Sequence, residues 1–173
     1  MAIAIGWGIG GVAMLLTQAL VRLTPRALEA IDSGLSWPQW LALGGWVGFM
    51  AHAEGLRGFH RRFSPRVVAR ALVLAQQGTP LQLLLAPAYC MSLLHASRRG
   101  RVVAWSVVAG IAALVAIVSR MAQPWRGIVD AGVVAGLGIG LGSLLLHTVR
   151  AMAGRPPTIA PDLPVTPATD GSS

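Results

Sequence analysis

Asp130 is a carboxylate set in a run, Gly127 to Val149, whose only other titratable group is His147. A carboxylate inside a membrane helix is costly and points to function by default. Three roles are open to it: a structural pair with Arg126 one turn earlier, proton or ion passage, or snorkelling to the interface. His52, Glu54, His60, His95 and His147 form a second set, expected together near one membrane face. Neutral imidazole and carboxylate suit zinc or iron. Their spacing matches no ligand pattern, however, and the surrounding Arg residues would repel a cation. The expectation is no metal and no cofactor. Glu54 and Arg57 stand at i, i+3, the spacing of a helix-surface pair. General acid/base work is the alternative for Glu54.

The third set is basic. Arg57, Arg61, Arg62, Arg66 and Arg70 crowd one stretch, and Arg98, Arg99 and Arg101 follow. Anionic lipid headgroups are their expected partner. A phosphorylated substrate is the alternative, because Ser64 and the helix that follows it offer donors to a phosphate. No Gly-x-Ser-x-Gly, His-Glu-x-x-His or Walker loop is present, so no nucleophile elbow, zinc helix or phosphate loop organises these groups. No catalytic residue is assigned.

The elements that must position these residues are apolar helices. Hydrophobic residues make up 54% of the 173 and charged residues 12%, against about 25% charged in a soluble domain. So little charge cannot cover a water-facing surface. The formal charge is +8, and all fourteen basic residues are Arg. They lie between apolar runs, where they orient helices, so nucleic acid is not an expected partner. The absence of Lys fits a GC-rich bacterial genome. The N-terminus lacks the basic region of a signal peptide, and Ala4 to Val21 is expected to be a retained membrane helix. Cys90, the single cysteine, is expected to be a packing residue.

Further apolar segments run from Trp37 to Ala53, from Val102 to Ser119 and from Gly127 to Val149. Thr24-Pro25 predicts a separate amphipathic surface helix, Pro25 to Asp32, because Thr caps well and Pro suits a first turn. Ser36 with Gln39, and Thr79 with Gln82, have capping-box spacing. The stretch from Pro65 to His95 is broken at Gly78. Its second arm, Pro80 to His95, spans about 24 Å, short of a core of about 30 Å.

Charge bias decides between two topologies. Five simple spans put seven Arg on each side. A re-entrant or interfacial hairpin over 65–95 puts ten on one side and four on the other, which the positive-inside rule favours. The prediction is an all-α polytopic membrane protein with four transmembrane helices plus this hairpin; the alternative is five transmembrane helices. Residues 1–154 form the membrane domain, and 155–173 a disordered, Pro-rich cytoplasmic tail. Both termini are expected on the cytoplasmic side of a bacterial inner membrane. Gly132, Gly136 and Gly140, spaced by four, predict close helix packing. It would lie within the chain, in a homo-oligomer or against a partner membrane protein. The expected function is a non-enzymatic accessory, assembly or scaffold subunit. A small oligomeric transporter or channel is the first alternative, and a membrane enzyme for a lipid-linked or phosphorylated substrate the second.

Overall fold

The computed structural model describes residues 2–161 apart from His95. Among the described residues every regular element is helical. The first, α1, is Ala2–Asp32. Next comes a long rod: α2 (Trp37–Met50), a π-helical segment (Ala51–Phe63) and α3 (Ser64–Gln77) follow one another without a gap. Ala51 and Ser64, at the two junctions, both keep right-handed helical angles, so the rod is unbroken. Two five-residue helices, α4 (Pro80–Leu84) and α5 (Ala86–Cys90), precede α6 (Arg98–Val118) and α7 (Trp125–Met152). Three helices are long and apolar enough to cross a membrane: Ile5–Asp32, Arg98–Val118 and Trp125–Met152.

The expected surface helix at Pro25 is corrected. Pro25 lies inside α1, which continues to Asp32 before a turn at Gly34 with φ +81°. Thr24 does not cap a new helix; its hydroxyl donates to the Leu20 carbonyl at 2.7 Å. Such a back-bond helps a helix carry proline within a bundle. At 31 residues the helix is about 46 Å long. Its last turns are held by α7, where a Cβ at Gly127 would overlap Ala30 and approach the Arg26 carbonyl to 2.6 Å.

The break expected at Gly78 is present, and Thr79 caps α4 by accepting from the Gln82 N–H at 3.4 Å. The single second arm expected over Pro80 to His95 is instead two short helices. They are joined at Leu85 (φ −93°, ψ 22°) and end by Ser92, whose φ is +63°. This pair lies on the first half of α1. Gly11 is overlain by the Pro87 ring, and a Cβ at Gly8 would come within 3.0 Å of the Cys90 sulfur. Trp7 Nε1 donates to the Leu84 carbonyl at 3.2 Å. Cys90 is buried with Ile9, Val12, Val67, Val68, Ala71 and Leu144 in the main apolar core.

α7 runs antiparallel to α1 and parallel to the rod. Val12 shares the core with Leu144, while Arg26 lies beside Gly127 at the far end of both helices. Trp46 meets Val129, and His60 meets Ser143, so the rod and α7 advance together. The glycine row seats this pairing. A Cβ on Gly132 would overlap the Trp46 indole, one on Gly136 would sit 3.3 Å from Glu54, and one on Gly140 would sit 2.7 Å from the Phe59 ring. Gly138 and Gly142 face open space. α6 stands apart from all of this. Its residues are exposed almost throughout, and Trp105 Nε1 donating to the Leu93 carbonyl at 3.3 Å is its one long side-chain bond among the described residues.

The tail expectation falls mainly on 162–173, which lie outside the described residues. Residues 155–161 run without regular structure to Pro161, whose carbonyl accepts from Arg70 Nη1 at 2.9 Å.

Candidate functional site

The rod's contact stripe on α7 changes period along its length. Trp46, Met50 and Glu54, in or just past α2, are four apart and meet Gly132 and Gly136. Glu54, Phe59 and Ser64 are five apart, and the last two meet Gly140. The change follows the winding. A π-helix closes i→i+5 bonds, so residues five apart share a face. The Ser64 N–H donates to the Phe59 carbonyl in that pattern. This winding turns Arg57 away from Glu54, and among the described residues the expected i, i+3 ion pair does not form. Glu54 lies against the middle of α7 rather than at its end.

About a turn and a half beyond Glu54, the rod presents His60. His60 Nδ1 lies 2.9 Å from the buried Ser143 hydroxyl. His147 Nε2 donates to the His60 carbonyl at 3.3 Å, and the two rings sit 5.2 Å apart at 32°. The Ser143 hydroxyl has one proton and, among the described residues, His60 is its one side-chain partner. Ser143 donates to Nδ1 when the His60 proton is on Nε2 and accepts from Nδ1–H in the other tautomer; in both cases Nδ1 is engaged and Nε2 is left. Beside the rings is a depression of about 280 Å³, lined by His60, Arg61, Pro65 and His147 from the helices and by residues 157–159 of the tail.

The tail is held there by Arg70. This guanidinium is fully buried. Its Nε donates to the Tyr89 carbonyl at 2.6 Å, Nη2 to the Leu94 carbonyl at 2.9 Å and Nη1 to Pro161. It also stacks 4.5 Å from the Tyr89 ring centre. The expectation that Arg70 meets lipid headgroups is thereby corrected. Irregular backbone after α5 and in the tail supplies carbonyls that no sequence spacing announces. Arg66 is partly buried, whereas Arg57, Arg61, Arg62, Arg98, Arg99 and Arg101 are exposed.

Five residues were expected on one face, and two of them come together. His60 pairs with His147; Glu54 sits about a turn and a half back along the rod, His52 is exposed, and His95 lies outside the described residues. Among the described residues no three His, Cys, Asp or Glu converge in a way that could hold a metal. Ser143 and Thr158 were not singled out by the sequence. Ser143 sits three residues after Gly140, on the stripe that faces the rod, and that register was a readable signal.

Asp130 lies at the opposite end of α7, with Arg126 and Arg26 the nearest cations acting on it. It is 5% exposed. Among the described residues it forms no ion pair with Arg126, and its Oδ2 and the Arg126 Nε have no hydrogen-bond partner. Gln123 ties this end to α1 by donating to the Arg26 carbonyl at 3.4 Å and to Glu29 at 3.3 Å.

No protein-family model, curated protein or solved structure matches this chain.

Proposed function

We propose that this chain is a four-span membrane protein with a helical hairpin, and that it acts as a non-enzymatic accessory, assembly or scaffold subunit of a bacterial inner membrane. The topology is supported by helix direction. α1 runs against α7, the rod runs with it, and α6 links the hairpin end to the start of α7. On that path Arg57, Arg61, Arg62, Arg66, Arg70, Arg98, Arg99, Arg101, Arg150 and Arg155 lie toward one end, and Arg22, Arg26, Arg120 and Arg126 toward the other. The richer end is then cytoplasmic, with both termini. Exposed Trp37, Trp40 and Trp125 toward one end, with Trp7 and Trp105 toward the other, fit two interfacial belts. Exposed arginines of the cytoplasmic end face anionic headgroups.

The observation that carries the subunit role is α6. It is 21 residues of mostly apolar helix with 6% of its most apolar window buried. A helix that buries so little of its surface against its own chain is available to another membrane protein. The test is native electrophoresis after mild detergent extraction, comparing wild type with a chain whose Val102 to Ile117 is all leucine. Wild type should migrate in a larger assembly, and the leucine variant as folded, smaller protein. A monomeric wild type, or an unchanged assembly in the variant, refutes the role.

A second reading, proton or ion passage, is favoured by Asp130 with its unpartnered Oδ2. Asp130→Asn in proteoliposomes decides it. Flux lost with folding intact supports passage; absence of flux in the wild type excludes it.

A further inference from the structure

The depression beside His60 and His147 is distinct from α6 and from Asp130. His60, Arg61 and His147 enter it from the helices and Thr158 from the tail, and among the described residues no carboxylate lines it. We propose that this pocket binds a phosphate monoester group, presented either by a lipid headgroup or by a soluble ester.

The donors follow from the bonds already made. With Nδ1 engaged by Ser143, His60 keeps Nε2, which no protein group among the described residues uses; as N–H or imidazolium it donates to an ionised oxygen, and as a lone pair it accepts from a P–O–H. His147 uses Nε2 on the His60 carbonyl, so Nδ1 is its remaining edge. That edge accepts from a P–O–H or, as imidazolium, donates to an ionised oxygen. Arg61 adds a guanidinium, whose fork matches phosphate oxygens. Thr158 adds a hydroxyl, for which no protein partner is found among the described residues. Pro65 and residues 157 and 159 complete the wall, an apolar lining suited to the carbon side of an ester.

A helix C-terminus is ordinarily a poor place for an anion. Here the end of α7 is closed on itself. The Arg155 N–H donates to the Arg150 carbonyl at 2.9 Å and the Gly154 N–H to the Ala151 carbonyl at 3.1 Å, with Gly154 at φ +77°. This Schellman closure satisfies terminal carbonyls that would otherwise repel a phosphate. It also turns the chain back toward Arg70, which fixes Pro161 and so keeps residues 157–159 over the rings.

The test uses the full chain in phosphatidylcholine nanodiscs with 15N-labelled histidine. Two probes are titrated separately: phosphatidate in the bilayer and inorganic phosphate in solution. The His60 and His147 ring nitrogens should shift saturably. Arg61→Gln and Thr158→Val, both at exposed positions, should each weaken the midpoint about tenfold. Saturation by phosphatidate alone assigns the site to a headgroup. Saturation by inorganic phosphate as well assigns it to a soluble ester. No saturable shift with either probe, or unchanged midpoints in both variants, overturns the site. Neither result bears on whether α6 has a partner, so this site and the subunit role fail separately.

Discussion

α6 and α7 are two apolar helices of one chain, both long enough to cross a membrane, with opposite relations to the rest of the protein. α7 buries Gly127, Gly132, Gly136, Gly140, Ser143 and Leu144; α6 buries Val118 alone. Small residues alone do not separate them. α6 has Ala104, Ala109, Ala112, Ala113 and Ala116 and also Gly110, where an added Cβ would meet nothing. The separating feature is register. On α7 the glycines recur every four residues opposite large side chains of the rod, and the Val129 carbonyl accepts the Trp46 N–H at 3.2 Å. In lipid, apolarity does not distinguish a partner from the solvent, so close approach and a few polar bonds must do so.

Gly132→Leu attacks that register most directly. The side chain would take the space of the Trp46 indole, and the bundle should lose about 3 kcal/mol, read as the shift in a denaturant titration in mixed micelles. A change under a third of that would mean Trp46 has somewhere else to go. Ser143→Ala should cost about 1 kcal/mol by removing the hydroxyl partner of His60 Nδ1, and His147→Phe in the same background separates the ring contact from the hydrogen bond. Gly110→Leu, the α6 counterpart of the first change, should alter stability by less than about 0.5 kcal/mol. A large loss there would show that α6 packs on its own bundle.

The closed side of the molecule can also be read chemically. Burial pushes the Cys90 thiol up to about 12, and the nearby Arg70 charge opposes that rise. Folding therefore favours the thiol form. Its contribution is fully present below the unfolded thiol value and is lost as pH rises toward the folded one. Cys90 should resist maleimide in the folded protein from pH 7 to about 9 and react once the chain is unfolded. Rapid labelling of folded protein would show that the hairpin lifts off α1.

Much of this was legible in the residues. Gly78 with Thr79-Pro80 marked the break, Gly132, Gly136 and Gly140 marked a packed stripe, and apolar run length marked α6 and α7. Four features were not. Pro25 reads as a helix start, but a proline whose turn is held by a neighbouring helix can stay inside. The π winding from Ala51 to Phe63 has no spacing signature, so rules built on i, i+3 and i, i+4 misplace Glu54 against Arg57. The His60–His147 pair depends on the register between helices distant in sequence. Arg70 looked like its exposed neighbours because the carbonyls that hold it come from irregular backbone.

The parallel pairing of the rod with α7 has a consequence in time. The bonded partners Trp46 with Val129 and His60 with Ser143 are both 83 residues apart. At about 5 to 20 residues per second of synthesis, the rod waits roughly 4 to 17 s before its groove exists. For that interval the Trp46 N–H is in a half-made protein with no Val129 carbonyl to receive it. A ribosome that stalls after α6 leaves a fragment whose contact stripe has no cover, a natural target for membrane proteases. A separately expressed α7 would then be the cheapest means of rescuing it.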